Sequence, residues 1–149
     1  MATAFTEEMV DVGGAKIQML KGGSGEPLVL LHGAGGNSGW LNYVQALSEK
    51  FTVYLPSHPG YGKSDRPEWL ETMADLASFY TWFLEEQGLE GTRAIGFSMG
   101  GWLASEIAAN CRHAFSKLML VDAAGIQPKQ GEIADIFIIS PAQVTELLF

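Results

Sequence analysis

The chain has 149 residues, with 17 Asp and Glu against 9 Lys and Arg, a net charge of −8, 47% hydrophobic residues and a single cysteine. That length is one domain or a piece of a larger one. The apolar content excludes a largely disordered chain. The acidic balance argues against a nucleic-acid or anionic-lipid surface. Cys111, standing alone, excludes an internal disulfide and a cysteine-based zinc site. The start, Met1 to Asp11, carries Glu7 and Glu8 in place of the basic and apolar regions of a leader. Nor does any uncharged apolar run reach the ~18 residues that span a bilayer. A cytoplasmic protein with no membrane or nucleic-acid partner is the expectation.

In chain order, Met9 to Leu20 reads as a hairpin about Gly13-Gly14, and residues 21–25 as a loop. Pro27 to Leu31 is continuously apolar, the pattern of a strand covered on both faces. Trp40 to Lys50 has helical spacing of Trp40, Tyr43, Val44 and Leu47, and Phe51 to Leu55 is a further buried strand. A loop from Pro56 to Pro67 precedes a helix from about Thr72 to Gln87, whose stripe is Leu76, Phe79, Tyr80, Phe83 and Leu84. Strand Thr92 to Phe97 runs straight into Ser98, a small-residue helix follows to about Asn110, and Lys117 to Val121 is again a strand. Strands alternating with helices predict an α/β fold, a mostly parallel sheet with helices on both faces. Beyond Asp122 come a loop over Gly125 to Gly131, an apolar run over Ile133 to Ile139 and a capping-box spacing in Ser140-Pro141-Ala142-Gln143. The chain reaches Phe149 two turns into that helix without a cap, so the expectation is the front of a longer protein: residues 1–124 of a core and 125–149 beginning a lid.

Three glycine-rich loops leave strands. Gly60-Tyr61-Gly62-Lys63-Ser64 ends in the G-K-S of a phosphate loop, but Ser57 stands where that motif needs glycine. Asp65-Arg66-Pro67 also prevents an immediate helix. Gly33, Gly35 and Gly39 are one residue too widely spaced for a dinucleotide turn, and no acid ends the next strand. Gly96-Phe97-Ser98-Met99-Gly100 fits G-x-S-x-G between strand and helix. Alone it reads equally as a solvated turn. In this context it reads as a nucleophile: a serine on a sharp turn projects its hydroxyl above the sheet, glycines relieve the crowding, and the helix aims its amides at the reacting centre.

Leu30-Leu31-His32-Gly33-Ala34-Gly35-Gly36, Pro59-Gly60-Tyr61-Gly62-Lys63-Ser64-Asp65 and Gly96-Phe97-Ser98-Met99-Gly100-Gly101, in this order and spacing, resemble the signatures of the α/β-hydrolase superfamily over Met9 to about Asp122. The resemblance implies Ser98 as nucleophile and the amides of Met99 and Ala34 as oxyanion donors. It also implies Gly33, Gly96 and Gly100 as the glycines shaping loop and elbow. Serine at the elbow argues against the dehalogenase and epoxide-hydrolase branches, which use Asp there. The superfamily's triad runs Ser, acid, His. Only His113 follows Ser98, at the far end of the same helix, about 22 Å away at 1.5 Å per residue. His32 reads as loop-shaping at the mouth of the site, and His58 as pocket-lining or solvated. Asp122 reads as a loop hydrogen-bonder before a triad acid. Trp40, Trp82 and Trp102 read as core. The acid and base are expected beyond Phe149. The implied activity is hydrolysis of an ester or related acyl or carbon–carbon bond in a small molecule, with no cofactor and no metal. The rivals are a non-catalytic ligand-binding member of the fold and an interaction module using an exposed sheet edge.

Overall fold

The alternation of side chains along the central strands divides the molecule. In a computed structural model, which describes residues 5–131, 133–135 and 138–148, six strands form one sheet: β1 (Phe5–Val12), β2 (Ala15–Gly23), β3 (Glu26–Leu31), β4 (Phe51–Pro56), β5 (Thr92–Phe97) and β6 (Phe115–Val121). Their spatial order is β1-β2-β4-β3-β5-β6. The β4, β3, β5 and β6 strands are parallel, and the hairpin joins them through β2 antiparallel to β4. Part of the apolar run Ile133 to Ile139, and the first four residues of the segment read for a leader, lie outside the described residues.

On one face, Ile17, Met19, Val29 and Leu31 pack with the stripe of α2 (Met73–Glu86) and with Leu103, Ala104 and Ile107 of α3 (Met99–Asn110). On the other, Leu20, Leu28, Leu30, Val53 and Leu55 pack with Val44 of α1 (Asn42–Ser48). Successive residues of β3 alternate between the two clusters, which is why Pro27 to Leu31 is apolar without a break. Thr72 caps α2 reciprocally with Asp75, and the Ser140–Gln143 capping box opens α4 (Pro141–Leu148). Among the described residues, no helix is long and apolar enough to cross a membrane.

Four local expectations are corrected. β1 begins at Phe5, earlier than Met9, because residues from Phe5 on pair with β2. β2 runs on to Gly23, through what reads as loop, because Gly22 and Gly23 pair with Val53 and Thr52. A Cβ at Gly23 would lie 2.2 Å from the Phe51 carbonyl oxygen, so close backbone approach, not flexibility, accounts for that glycine. Trp40 precedes α1 instead of lying on it, and stacks on Phe5 at 4.8 Å. Trp82 is 46% exposed on α2, edge-on to Trp69 and against the hairpin tip at Gly13, so it is not core.

Candidate functional site

The β5–α3 junction is a turn on which three chain segments converge. Ser98 has φ 50° and ψ −115°, a left-handed backbone that costs a non-glycine residue about 1–3 kcal/mol and persists only when its surroundings enforce it. They do so through the backbone. The Ser98 N–H donates to the Val121 carbonyl at 2.9 Å, and the Ser98 carbonyl accepts from Gly101, Trp102 and Ala124 at 2.9, 3.1 and 3.1 Å. Steric walls complete the turn. A Cβ at Gly100 would lie 2.2 Å from the Leu31 carbonyl oxygen, and one at Gly96 2.5 Å from the Gly100 oxygen. A Cβ at Gly33 would approach that of Ser98 to 3.3 Å, so the loop after β3 lies beside the serine. Ser98 is exposed. Met99 begins α3, where a first-turn amide has no carbonyl of its own helix to receive it.

The loop after β3 is held by imidazoles. The Gly36 N–H donates to the Gly33 carbonyl at 3.1 Å, closing a turn around Ala34, and His32 Nδ1 lies 2.7 Å from that same carbonyl. His32 Nε2 is 2.9 Å from the His58 N–H, which can only donate, so this nitrogen is the acceptor and the His32 proton sits on Nδ1. His58 Nε2 faces the His32 carbonyl at 2.8 Å and therefore carries the proton. Its Nδ1 accepts from the Tyr80 hydroxyl at 2.6 Å. The two rings stack with centroids 3.7 Å apart. Burial lowers the pKa of both; that of His58 falls to about 3, helped by its neighbour His32. Burial raises that of Tyr80. Both imidazoles are neutral at pH 7, and the lone pair of each is already engaged.

His58 is fully buried, so the solvated reading does not hold; its ring borders a cleft of about 300 Å³ shared with Tyr61, Arg66 and Met99. His32 and Gly33 border a smaller hollow of about 100 Å³ with Tyr43 and Phe97. His113 is exposed, beyond the C-terminal end of α3. Asp122 follows β6 with φ 44° and is exposed. The G-K-S loop forms no phosphate cradle. Ser64 Oγ donates to the Ser57 carbonyl at 2.8 Å and accepts the Gln18 N–H at 3.0 Å, while Lys63 reaches Glu7 on β1. Among the described residues, no cluster of three or more His, Cys, Asp or Glu could hold a metal ion. Sequence reasoning took Tyr80 only as part of an apolar stripe, yet a tyrosine among Leu and Phe signals a hydroxyl that needs a buried partner.

Residues 26–145 match the sequence model of the alpha/beta hydrolase fold, and the chain belongs to that family. It is 32% identical over 124 residues to the dihydrolipoyllysine-residue acetyltransferase component of an acetoin cleaving system from Cupriavidus necator, a match covering 82% of this chain and 33% of that protein. It is 31% identical over 123 residues to a soluble epoxide hydrolase from Corynebacterium sp., covering 82% and 43%. The crystal structure of a bacterial membrane phospholipase A superposes with a TM-score of 0.78 at 30% identity, over 85% of this chain and 42% of that one. The chain thus spans less than half the length of each of these relatives.

Proposed function

We propose that this chain is the nucleophile-bearing part of a serine hydrolase acting on an ester or a related acyl or carbon–carbon bond of a small molecule. The observation that carries the reading is the strained Ser98 backbone at the β5–α3 turn, with the loop bearing Ala34 alongside. Strain of this kind, enforced from three segments, presents the hydroxyl to solvent at the amino end of a helix. Ser98 Oγ attacks the substrate carbonyl carbon as its proton passes to a histidine. The N–H groups of Met99 and Ala34 receive the oxygen that becomes negative. The tetrahedral adduct then collapses, the histidine returns the proton to the departing group, and water releases the acyl group from Ser98 by the same steps.

The base is not among this chain's histidines: His32 and His58 have engaged lone pairs, and His113 lies beyond the far end of α3. Residues beyond Phe149 supply the histidine and its acid partner in this reading, and residues 125–149 begin a lid over the site. The engaged histidines also favour one rival, a non-catalytic member of the family that binds a small ligand. The test is hydrolysis of a short activated ester by four proteins: the 149-residue chain and the chain continued past Phe149, each with Ser98 or Ser98→Ala. A large Ser98-dependent rate only in the continued chain is expected. Equal Ser98-dependent rates in both lengths contradict the assignment of the base, and an inert continued chain favours the ligand-binding rival.

A further inference from the structure

His58 and Tyr80 have no part in the chemistry just described, yet they form a buried polar assembly behind it. Both side chains are about fully buried, at 0% and 1% exposure. Burying a hydroxyl and an imidazole at a site that needs only packing costs more than a Phe and a Leu would. The partners they hold are specific. His58 meets His32 twice, donating its backbone N–H to Nε2 at 2.9 Å and its Nε2–H to the carbonyl at 2.8 Å. The His32 carbonyl also lies close against the elbow helix, since a Cβ at Gly100 would lie 2.5 Å from its oxygen. Both His58 and the elbow helix therefore restrict it.

The consequence follows from peptide planarity. The Gly33 carbonyl and the Ala34 N–H belong to one rigid plane, so whatever orients the first orients the second. His32 Nδ1–H orients that carbonyl, and His58 holds His32 in the tautomer that can do so. Tyr80, by occupying His58 Nδ1, keeps the His58 proton on Nε2. Donors on a carbonyl oxygen also polarise the N–H of the same peptide, strengthening it as a donor. We propose that Tyr80 and His58 are positioning residues, a buried strut running from α2 to the loop after β3 that fixes the direction of the Ala34 N–H. This rests on the reading of Ala34 as an oxyanion donor.

The test uses the 149-residue chain labelled with ¹⁵N, comparing wild type, Tyr80→Phe, His58→Leu and Ser98→Ala. Imidazole nitrogen shifts in the wild type are expected to show protons on His32 Nδ1 and His58 Nε2 alone. In Tyr80→Phe, His58 turns into a tautomer mixture and the Gly36 amide exchanges about tenfold faster, with the amides of β4 unchanged, as for a local opening. His58→Leu, which removes the bond to the His32 carbonyl, speeds Gly36 exchange more strongly; if it does not fold, Tyr80→Phe still decides. Ser98→Ala leaves the loop as in the wild type. A single His58 tautomer and unaltered Gly36 exchange in folded Tyr80→Phe would overturn the strut, as would a uniform rise in exchange across the core. In the catalytically continued chain, Tyr80→Phe is expected to lower kcat about tenfold or more with KM little changed, since small misplacement of an aligned group weakens the transition state most. If the loop responds while no Ser98-dependent turnover exists, the strut stands and the hydrolase reading fails. If turnover exists and both kcat and the loop ignore Tyr80→Phe, the strut is wrong.

Discussion

The turns that leave β4 and β5 are both rich in glycine and both sit at the same end of the sheet, but they are held by different means. After β5 the walls are backbone: Gly100 lies against the Leu31 and His32 carbonyls, and the Ser98 peptide is pinned by Val121 and Ala124. After β4, two backbone bonds to β2, from the Ser57 N–H to the Gln18 carbonyl and from the Asp65 N–H to the Lys16 carbonyl, both at 2.8 Å, are joined by side-chain fastenings. Gln18 Oε1 accepts the Lys63 N–H at 2.9 Å and the Ser57 hydroxyl at 3.3 Å, Ser64 ties Ser57 to Gln18, and His58 is lodged under Tyr80. Backbone walls cannot move aside, so they can keep one residue in a strained conformation. Side-chain latches can adjust, and suit a loop whose task is to support its neighbour. In the proposed reading, the difference separates a turn that presents a group from one that braces it.

The largest expected effect comes from filling the backbone wall. Gly100→Val destabilises the fold by about 3 kcal/mol or more, because neither carbonyl facing it can retreat without breaking β3. A thermal melt checks this, and an unchanged midpoint would remove the distinction between the two turns.

Acid is expected to act next, and on the β4 side first. The folded pKa values of His58 and His32 lie below the ordinary 6.5, so the unfolded chain takes up protons before the folded one. Their contribution is whole above about pH 6.5 and is lost as pH falls below it, that of His58 down to about pH 3, at roughly 1.4 kcal/mol per pH unit for each proton. Urea unfolding between pH 7 and 4 measures the slope. Replacing His58 by Gln is expected to flatten it, and an unaltered slope would mean that His58 is not buried neutral.

A smaller effect sharpens the contrast. A Cβ at Gly62 would meet the Gln18 amide oxygen at 2.4 Å, and its φ is 55°. Gly62→Ala therefore loses about 1–2 kcal/mol from left-handed strain and from displacing the latch. In a Gln18→Ala background the displacement component disappears and the two changes are less than additive, as coupled neighbours are. Full additivity in denaturant melts would show that Gln18 is no latch.

Much of this was legible in the residues. Strand and helix order followed from apolar runs and from the Leu76 to Leu84 stripe, because burial on a sheet face or helix face imposes those periods. The motif around Ser98 was legible because its glycines answer to walls within a few residues or one strand away. What the residues hid depends on partners distant in the chain. Gly22 and Gly23 read as loop but pair with β4, Trp40 finds Phe5, and His58 finds Tyr80 22 residues on. Periodicity carries no record of such meetings. The lock on the His32 tautomer likewise required the His58 N–H to be seen against Nε2.

In the proposed reading, Ser98 is the residue the fold presents for attack. The most direct measurement of this is covalent labelling of the chain continued past Phe149 with a fluorophosphonate, followed by peptide mapping by mass spectrometry. One adduct is expected, on Ser98, absent in Ser98→Ala and formed in the 149-residue chain at least about a hundredfold more slowly, since an alcohol without its base is a poor nucleophile. An adduct on another residue, or none in a folded continued chain, would contradict this reading.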